Sequence, residues 1–109
     1  MITGIHAENK IFIDGHEIDL KKSLKVVNHS PTGFQWGYQG SGPSQSALAL
    51  LLEFGASKEE AVAWYQEFKR DKISTLPQED FEMEDSVVED WLGARRIFAR
   101  EFESDNQGC

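Results

Sequence analysis

The chain has a single cysteine among its 109 residues, and it is the last one, Cys109. One thiol cannot form a disulfide within the chain, so the fold has to be held by a packed core rather than by cross-links. A lone terminal thiol is also typical of proteins kept in a reducing compartment. We therefore expect the protein to be cytoplasmic.

Long apolar runs are missing as well. The longest uninterrupted one covers residues 47–52, far short of the roughly 20 residues that a membrane helix needs. The first ten residues contain no basic segment followed by an apolar one, so no signal peptide is predicted. No association with a membrane is expected.

Basic residues are scarce: 11 lysines and arginines stand against 19 acidic residues, for a net charge of −8. Binding a nucleic acid requires lysine and arginine to neutralise its phosphates, so no direct nucleic-acid partner is expected. An acidic surface can instead dock on a basic protein. Ordinary solubility explains a charge of this size more simply, but a protein partner stays open.

The residues of common metal and catalytic sites lack their usual spacing. No two of the three histidines have helical i, i+4 spacing, and no cysteine or carboxylate completes a ligand set, so neither a metal nor another cofactor is predicted. The acidic run at residues 79–85 alternates with Phe81 and Met83 as a half-exposed strand would. It is interpreted as a solvated face, and no enzyme class emerges.

What is present suffices for one core. Hydrophobic residues make up 39% of the chain and aromatic residues 11%, whereas a second core would be too small to be stable. We predict a single domain over residues 1–109, with its core at about residues 9–102. The polar tail at residues 103–109 is expected to fray.

The N-terminal half has the alternation of β-strands. Residues 10–20 alternate around Asp14-Gly15, a pair that suits a two-residue type I′ hairpin turn because both central positions need positive φ. The candidate core residues of this hairpin are Ile11, Ile13 and Ile18. Two further strands are predicted at residues 24–28 and 34–38.

Three helices are predicted in the C-terminal half, with a short extended piece at residues 80–83. The first helix covers residues 44–54, is apolar almost all round and ends at Gly55. The second begins at the capping box of Ser57 and Glu60, extends as far as Leu76 and places one stripe on the core. That stripe consists of Ala61, Trp64, Tyr65 and Phe68. The third helix covers residues 85–102, with a predicted core face of Val87, Val88, Trp91, Leu92, Arg95, Phe98 and Phe102.

The order of strand and helix signals along the chain predicts an α+β fold, in which a small antiparallel sheet from the N-terminal half packs against about three C-terminal helices. Strand signals come first along the chain and helix signals follow. Neither repeats nor a linker interrupt them.

The segment HSPTGFQWGYQGSGPSQSALALLLEF, residues 29–54, resembles the signature of a family of small bacterial proteins known only as a domain of unknown function, with members in phages and plasmids. The family pattern is roughly SPDGFEWGYGGSGPAQLALALLLD, followed by Phe-Lys, Leu-Pro and Trp-Leu pairs. The matching pairs here are Phe68-Lys69, Leu76-Pro77 and Trp91-Leu92. The chain departs from the pattern at Thr32, Gln39, Ser46 and Phe81. The resemblance implies a small stand-alone protein, often of a mobile element, without an assigned activity; the residues after Leu92 look like an extension of this chain.

The glycine-rich turn before the first helix is one candidate site. A helix that begins after such a turn can bind an anion through its free N–H groups, and nearby aromatic rings could stack on a base or sugar. The candidate ligand-binding residues are Trp36, Tyr38, Gly40, Ser41, Gly42, Ser44 and Gln45. The turn lacks the lysine and the third glycine of nucleotide-binding motifs. A tight connection that packs a strand against a buried helix is the favoured alternative.

The end of the last helix is the other candidate site, as a docking surface for a protein partner or for a second copy in a homodimer. Its candidate residues are Arg96, Ile97, Phe98, Arg100 and Phe102. Packing of this helix back on its own core is the narrowly favoured alternative. The leading hypothesis for function is a non-enzymatic accessory protein that binds another protein, and an origin in a mobile element is part of this hypothesis. The second hypothesis is a module that binds a nucleotide-like or other anionic small molecule at residues 40–45.

Overall fold

The computed structural model describes residues 1–103. Of the tail predicted to fray, only Glu103 lies among them, and residues 104–109 lie outside the described residues. Short 3-10 and π-helical segments, His6–Glu8, Lys69–Ile73 and Ala99–Glu103, accompany the strands and α-helices. The strands and α-helices are β1 (Ile2–Ile5), β2 (Lys10–Ile13), β3 (His16–Glu17), α1 (Leu20–Leu24), α2 (Ser41–Glu53), α3 (Lys58–Phe68), β4 (Phe81–Met83) and α4 (Asp85–Phe98).

The sheet is antiparallel with strand order β3-β2-β1-β4. β1 is one of its two inner strands, although the sequence pattern does not predict it. Ile2 pairs with Ile13 of β2 and with Met83 of β4. The α+β fold class is confirmed, with the addition that β4 is contributed by the C-terminal half of the chain.

The hairpin predicted at residues 10–20 is confirmed from Lys10 to Glu17, but its second strand is shorter than predicted because α1 begins at Leu20. Asp14 and Gly15 have φ of 51° and 81°, the two positive values that a type I′ turn requires. Ile11 and Ile18 are buried in the core, and Ile13 packs against it while half-buried. The extended piece predicted at residues 80–83 is confirmed as β4.

The strand predicted at residues 24–28 is wrong, because this part of the chain is the end of α1 and a following turn. The Asp19 carboxylate accepts a hydrogen bond from the Lys21 N–H at 2.9 Å and begins the helix. Within it, the Ser23 hydroxyl donates to the Leu20 carbonyl at 2.9 Å. These local bonds outweigh the β-propensity of the two valines that follow.

The strand predicted at residues 34–38 is also wrong. The segment pairs with no strand and is held by single hydrogen bonds to separate places: Phe34 N–H donates to Asn9 O at 2.8 Å, and Gly37 N–H to Ile73 O at 3.0 Å. Gly37 has φ of 86°, which breaks the extended alternation. Phe34 and Trp36 are buried in the core, whereas Tyr38 is exposed.

α2 is the central helix and is buried from Gly42 to Leu51, as a helix apolar all round should be. Gly55, with φ of 97°, follows its end as predicted. The capping box of α3 is confirmed: Ser57 Oγ accepts from Glu60 N–H at 3.0 Å, and Glu60 Oε1 accepts from Ser57 N–H at 2.9 Å. The predicted stripe of α3 is buried, and the chain continues as the π-helical segment Lys69–Ile73.

α4 and its π-helical extension Ala99–Glu103 confirm the last predicted helix, but its predicted core face is only partly buried. Val88 and Leu92 are buried, whereas Phe98 is 49% and Phe102 63% exposed. The helix therefore packs on the core with its N-terminal half and leaves aromatic side chains exposed at the other end. Among the described residues, no helix is long and apolar enough to cross a membrane.

Candidate functional site

The aromatic residues of the glycine-rich segment lie in different environments. Trp36 is buried, with its ring edge-on to that of Phe81 at 4.9 Å between centroids, and its Nε1–H donates to the Glu79 carbonyl at 2.8 Å. Tyr38 is exposed, and its hydroxyl donates to the side-chain oxygen of Gln35. Trp36 therefore fixes the segment to the chain before β4, and Tyr38 is the ring of the two that solvent can reach.

The start of α2 is tightly packed. Gly40 is the N-cap residue, and the Ser44 hydroxyl donates to its carbonyl at 3.0 Å. A Cβ on Gly42 would lie 2.3 Å from Oε1 and 2.6 Å from Cβ of Gln35, so any larger residue there would force the Gln35 side chain to move. Ser41 is exposed, whereas Gly42 and Ser44 are buried.

Gln45 is completely buried and uses its whole side-chain amide within the protein. Its Oε1 accepts from the N–H groups of His29 and Ser30 at 2.7 and 3.1 Å. Its Nε2 donates to Ser23 Oγ at 2.8 Å and to the Val27 carbonyl at 3.1 Å. Gln45 thus ties the irregular chain between α1 and α2 to the central helix, and no donor or acceptor of its amide is directed at solvent.

An open groove of about 750 Å³ runs along β1 and β4. It is lined by residues of both strands and by Leu76, Pro77 and Asp80. The Asp80 carboxylate accepts a hydrogen bond from the backbone N–H of His6 at 2.7 Å. None of the candidate ligand-binding residues lines this groove.

Arg95 is the centre of the interactions made by the second half of α4. Its Nε donates to Glu67 of α3 and its Nη1 to Glu103, both at 2.7 Å. Its Cζ lies 4.8 Å from the ring centroid of Trp64 and 5.3 Å from that of Phe98. The hydrogen bonds that Arg95 donates to Glu103 and Glu67 raise the pKa of Arg95, and the bond to Glu103 in turn lowers the pKa of that carboxyl.

Arg96 joins α4 to the beginning of α3. Its Nε and Nη2 donate to the two carboxylate oxygens of Glu60, each at 2.8 Å, and Nη2 also donates to the Gly55 carbonyl at 3.1 Å. The hydrogen bond from Arg96 is the main cause that lowers the pKa of Glu60 to about 2; the capping bond with Ser57 adds to it, and burial opposes it. The pKa of Arg96 is raised by the same pair.

The apolar members of the predicted docking surface are exposed together. Ile97 is 51%, Phe98 49% and Phe102 63% exposed. The rings of Phe98 and Phe102 contact each other, with centroids 5.0 Å apart. Arg100 lies on the π-helical segment and is also exposed, so the structure brings this set to one end of the helix while Arg96 is turned toward α3.

Arg95 is not among the site residues predicted from the sequence. The available signal was its position within an apolar stripe, four residues after Trp91 and three before Phe98. An arginine at such a position has to satisfy its charge near aromatic rings, which favours a cation–π contact and ion pairs.

The fold and these contacts define a small α+β protein with a tightly packed glycine-rich segment and an exposed aromatic end on its last helix. In the described part of the chain, no group of three or more His, Cys, Asp or Glu residues could hold a metal ion. The chain matches the model of a family of unknown function, DUF6166, over residues 4–94, and it belongs to that family. No curated protein and no solved structure matches it. Ile97, Phe98 and Phe102 all lie beyond the matched residues.

Proposed function

We propose that this chain is a non-enzymatic accessory protein that acts by binding another protein, and that the end of α4 is the docking surface. The surface consists of Arg96, Ile97, Phe98, Arg100 and Phe102. The net charge of −8 favours a partner with a basic surface, because opposite charges speed association and disfavour wrong partners.

The observation that carries this proposal is the exposure of Phe98 and Phe102. They stack on each other, yet 49% and 63% of their surfaces stay exposed. Most other aromatic residues of the chain are buried or half-buried, Tyr38 being the other exposed one. Adjacent exposed aromatic rings are typical of the anchors of protein interfaces, where their burial contributes much of the binding energy.

The geometry supports the alternative function, a small-molecule module at residues 40–45, less well. Gln45 and Ser44 are buried and hydrogen-bonded within the chain, and Gly42 is packed on Gln35. A ligand at this helix start would have few side-chain groups left to bind. The glycines and polar side chains of the segment are better explained by packing.

The cellular setting is part of the same proposal. A cytoplasmic location is supported by the lone cysteine, Cys109. A role for a phage or plasmid is supported by the resemblance of residues 29–54 to the pattern of a family with members in phages and plasmids. The family match ends at Ala94, before the first residue of the docking surface. A partner bound at this surface can therefore be specific to this protein rather than common to the family.

Site-specific photocrosslinking in the native host tests the proposal. A photoreactive amino acid replaces Phe98 in one variant and Val62, an exposed residue of α3, in the control. We expect one protein, identified by mass spectrometry, to be joined to position 98 and not to position 62. The proposal fails if neither position gives an adduct, or if both capture the same mixture. A retained mass of a few hundred daltons in native mass spectrometry would support the small-molecule alternative instead.

A further inference from the structure

α4 carries a second apolar stripe beside Val88 and Leu92, the two residues that it buries in the core. The first members of this stripe, Val87 and Trp91, also pack against the core, with the Trp91 ring 5.0 Å from that of Phe68, whereas its later members do not. We call this stripe the seam; it consists of Val87, Trp91, Ala94, Phe98 and Phe102. The first four positions follow the alternating spacing of four, three and four residues by which two helices pack side by side. The π-helical segment Ala99–Glu103 then widens the turn by one residue, so Phe102 continues the seam in place of Glu101.

The seam becomes more exposed toward the C-terminal end of the helix. Val87 and Trp91 are half-buried, Ala94 is exposed, and Phe98 and Phe102 are 49% and 63% exposed. From Val87 to Phe102 it is about 23 Å long at 1.5 Å per residue. Its length and spacing therefore match one face of an ordinary helix of roughly four turns.

Carboxylates border the seam on the side of α3. Asp71 accepts a hydrogen bond from Trp91 Nε1 at 2.8 Å. Glu67 and Glu103 both bind Arg95, so two negative charges share one guanidinium. Three carboxylates, those of Asp71, Glu67 and Glu103, therefore lie on this border around the single guanidinium of Arg95.

The other border is acidic as well. Asp90 is exposed, three residues after Val87 and four before Ala94, and Glu101 is exposed three residues after Phe98; side chains at these spacings are neighbours on a helix surface. A second copy of this chain would bring the same carboxylates against these, and each copy has a net charge of −8. A helix with basic residues beside its apolar face complements both borders.

We propose that the seam receives an amphipathic helix of the partner protein, with lysine or arginine residues on both sides of its apolar face. This inference rests on the proposed function and names the kind of segment that binds. Apolar side chains of the partner helix pack between Trp91, Phe98 and Phe102. Its basic residues lie beside Asp90 and Asp71.

Two synthetic peptides of roughly 18 residues serve as probes, because that length covers the seam. Both carry leucine at the heptad a and d positions; the other positions are lysine in one peptide and glutamate in the other. Binding is followed by fluorescence anisotropy of the labelled peptide at physiological salt. We expect the leucine–lysine peptide to bind roughly tenfold or more tightly than the leucine–glutamate peptide.

Matched variants separate seam binding from general attraction to an acidic protein. Phe98→Ser with Phe102→Ser removes the apolar anchors, and Val62→Ser is its control on α3. Asp90→Lys reverses a charge beside the seam. Glu89→Lys makes the same change in net charge on the opposite side of α4. Glu89 lies nine residues before Phe98, and nine residues turn the helix by two and a half turns, which places the two side chains about 180° apart.

We expect the double serine variant to bind the leucine–lysine peptide roughly tenfold or more weakly than the wild type does. Asp90→Lys should weaken binding of this peptide more than Glu89→Lys does. Absence of binding, or equal effects of the matched variants, would overturn the inference. So would dimerisation of the wild-type chain in analytical ultracentrifugation that the double serine variant abolishes, because a second copy would then occupy the seam. Crosslinking at position 98 to one partner, combined with failure of the peptides, would leave the proposed function standing and refute the helical partner alone.

Discussion

The guanidinium of Arg95 lies over the indole ring of Trp64, with Cζ 4.8 Å from the ring centroid. The Arg95 side chain is 13% exposed, and Trp64 beneath it is 8% exposed. Because Arg95 also binds Glu67 of α3 and Glu103, one side chain connects α3, α4 and the π-helical extension. The exposed ring of Phe98 is held next to this connection, 5.3 Å from the same Cζ.

Replacing Arg95 with glutamine should lower the free energy of unfolding by about 1–2 kcal/mol. The change removes the cation–π contact with Trp64 and leaves Glu67 and Glu103 without their shared cation. Arg95→Lys should recover part of the loss, because lysine keeps the charge but not the planar fork. Urea unfolding followed by circular dichroism measures the difference, with Arg70→Gln as an exposed control. A midpoint unchanged in Arg95→Gln would show that the contact contributes no stability.

The ion pair of Glu60 with Arg96 should make stability fall in acid. Because the pKa of Glu60 is lowered from 4.5 to about 2 in the folded protein, its contribution is present above pH 4.5 and is lost as the pH falls toward about 2. Glu60→Gln should therefore show a smaller loss of unfolding free energy than the wild type over that range. Urea titrations at several pH values measure it, and Glu59→Gln is the control in the same helical turn. Identical pH profiles for wild type and Glu60→Gln would contradict the assignment.

Replacing Gln45 with methionine should destabilise the protein by about 3 kcal/mol, although the two side chains have similar size. The N–H groups of His29 and Ser30 would lose their acceptor, and Ser23 and Val27 would lose a donor. Gln39→Met, at an exposed position, should change stability by less than about 0.5 kcal/mol. Chemical denaturation gives both values, and hydrogen exchange should show faster exchange at the Ser30 amide. Equal stability of the two variants would refute the packing role of Gln45.

Two glycine-to-alanine substitutions should change the stability of the protein in opposite directions. Gly42→Ala should destabilise by about 1–3 kcal/mol, because its Cβ would meet the side chain of Gln35. Gly93→Ala should stabilise by about 0.5–1 kcal/mol, since nothing lies within 4 Å of a Cβ there and α4 gains helix propensity. Thermal unfolding of both variants beside the wild type measures the shifts. A rise in melting temperature for Gly42→Ala would refute the close packing at the start of α2.

The elements that were predicted correctly depend on interactions between near neighbours. The hairpin turn needs only that Asp14 and Gly15 accept positive φ, and the start of α3 needs only that Ser57 and Glu60 bind each other's backbone. The period of the apolar residues likewise identifies α2 as a buried helix. None of these depends on what the rest of the chain does.

The errors lie where two interpretations have similar local support. Residues 24–28 include two valines, as a strand would, but the capping bond at Asp19 begins α1, and this helix continues as far as Leu24. Phe34 and Trp36 alternate as in a strand, yet their hydrogen bonds go to separate elements rather than to a neighbouring strand. The first choice is made by a neighbouring cap, whereas the second depends on contacts with residues far away in the chain.

By itself, the sequence determined the α+β class, the hairpin, the buried central helix and the capped start of α3, because each follows from backbone geometry and hydrophobic period within a few residues. Tertiary structure alone decided that β1 pairs with both β2 and β4. It also decided that Arg95 joins α3 to α4 and that Phe98 and Phe102 stay exposed. The physical reason is that an apolar stripe shows which residues favour burial, whereas the surface available to cover them is created only when distant segments pack together.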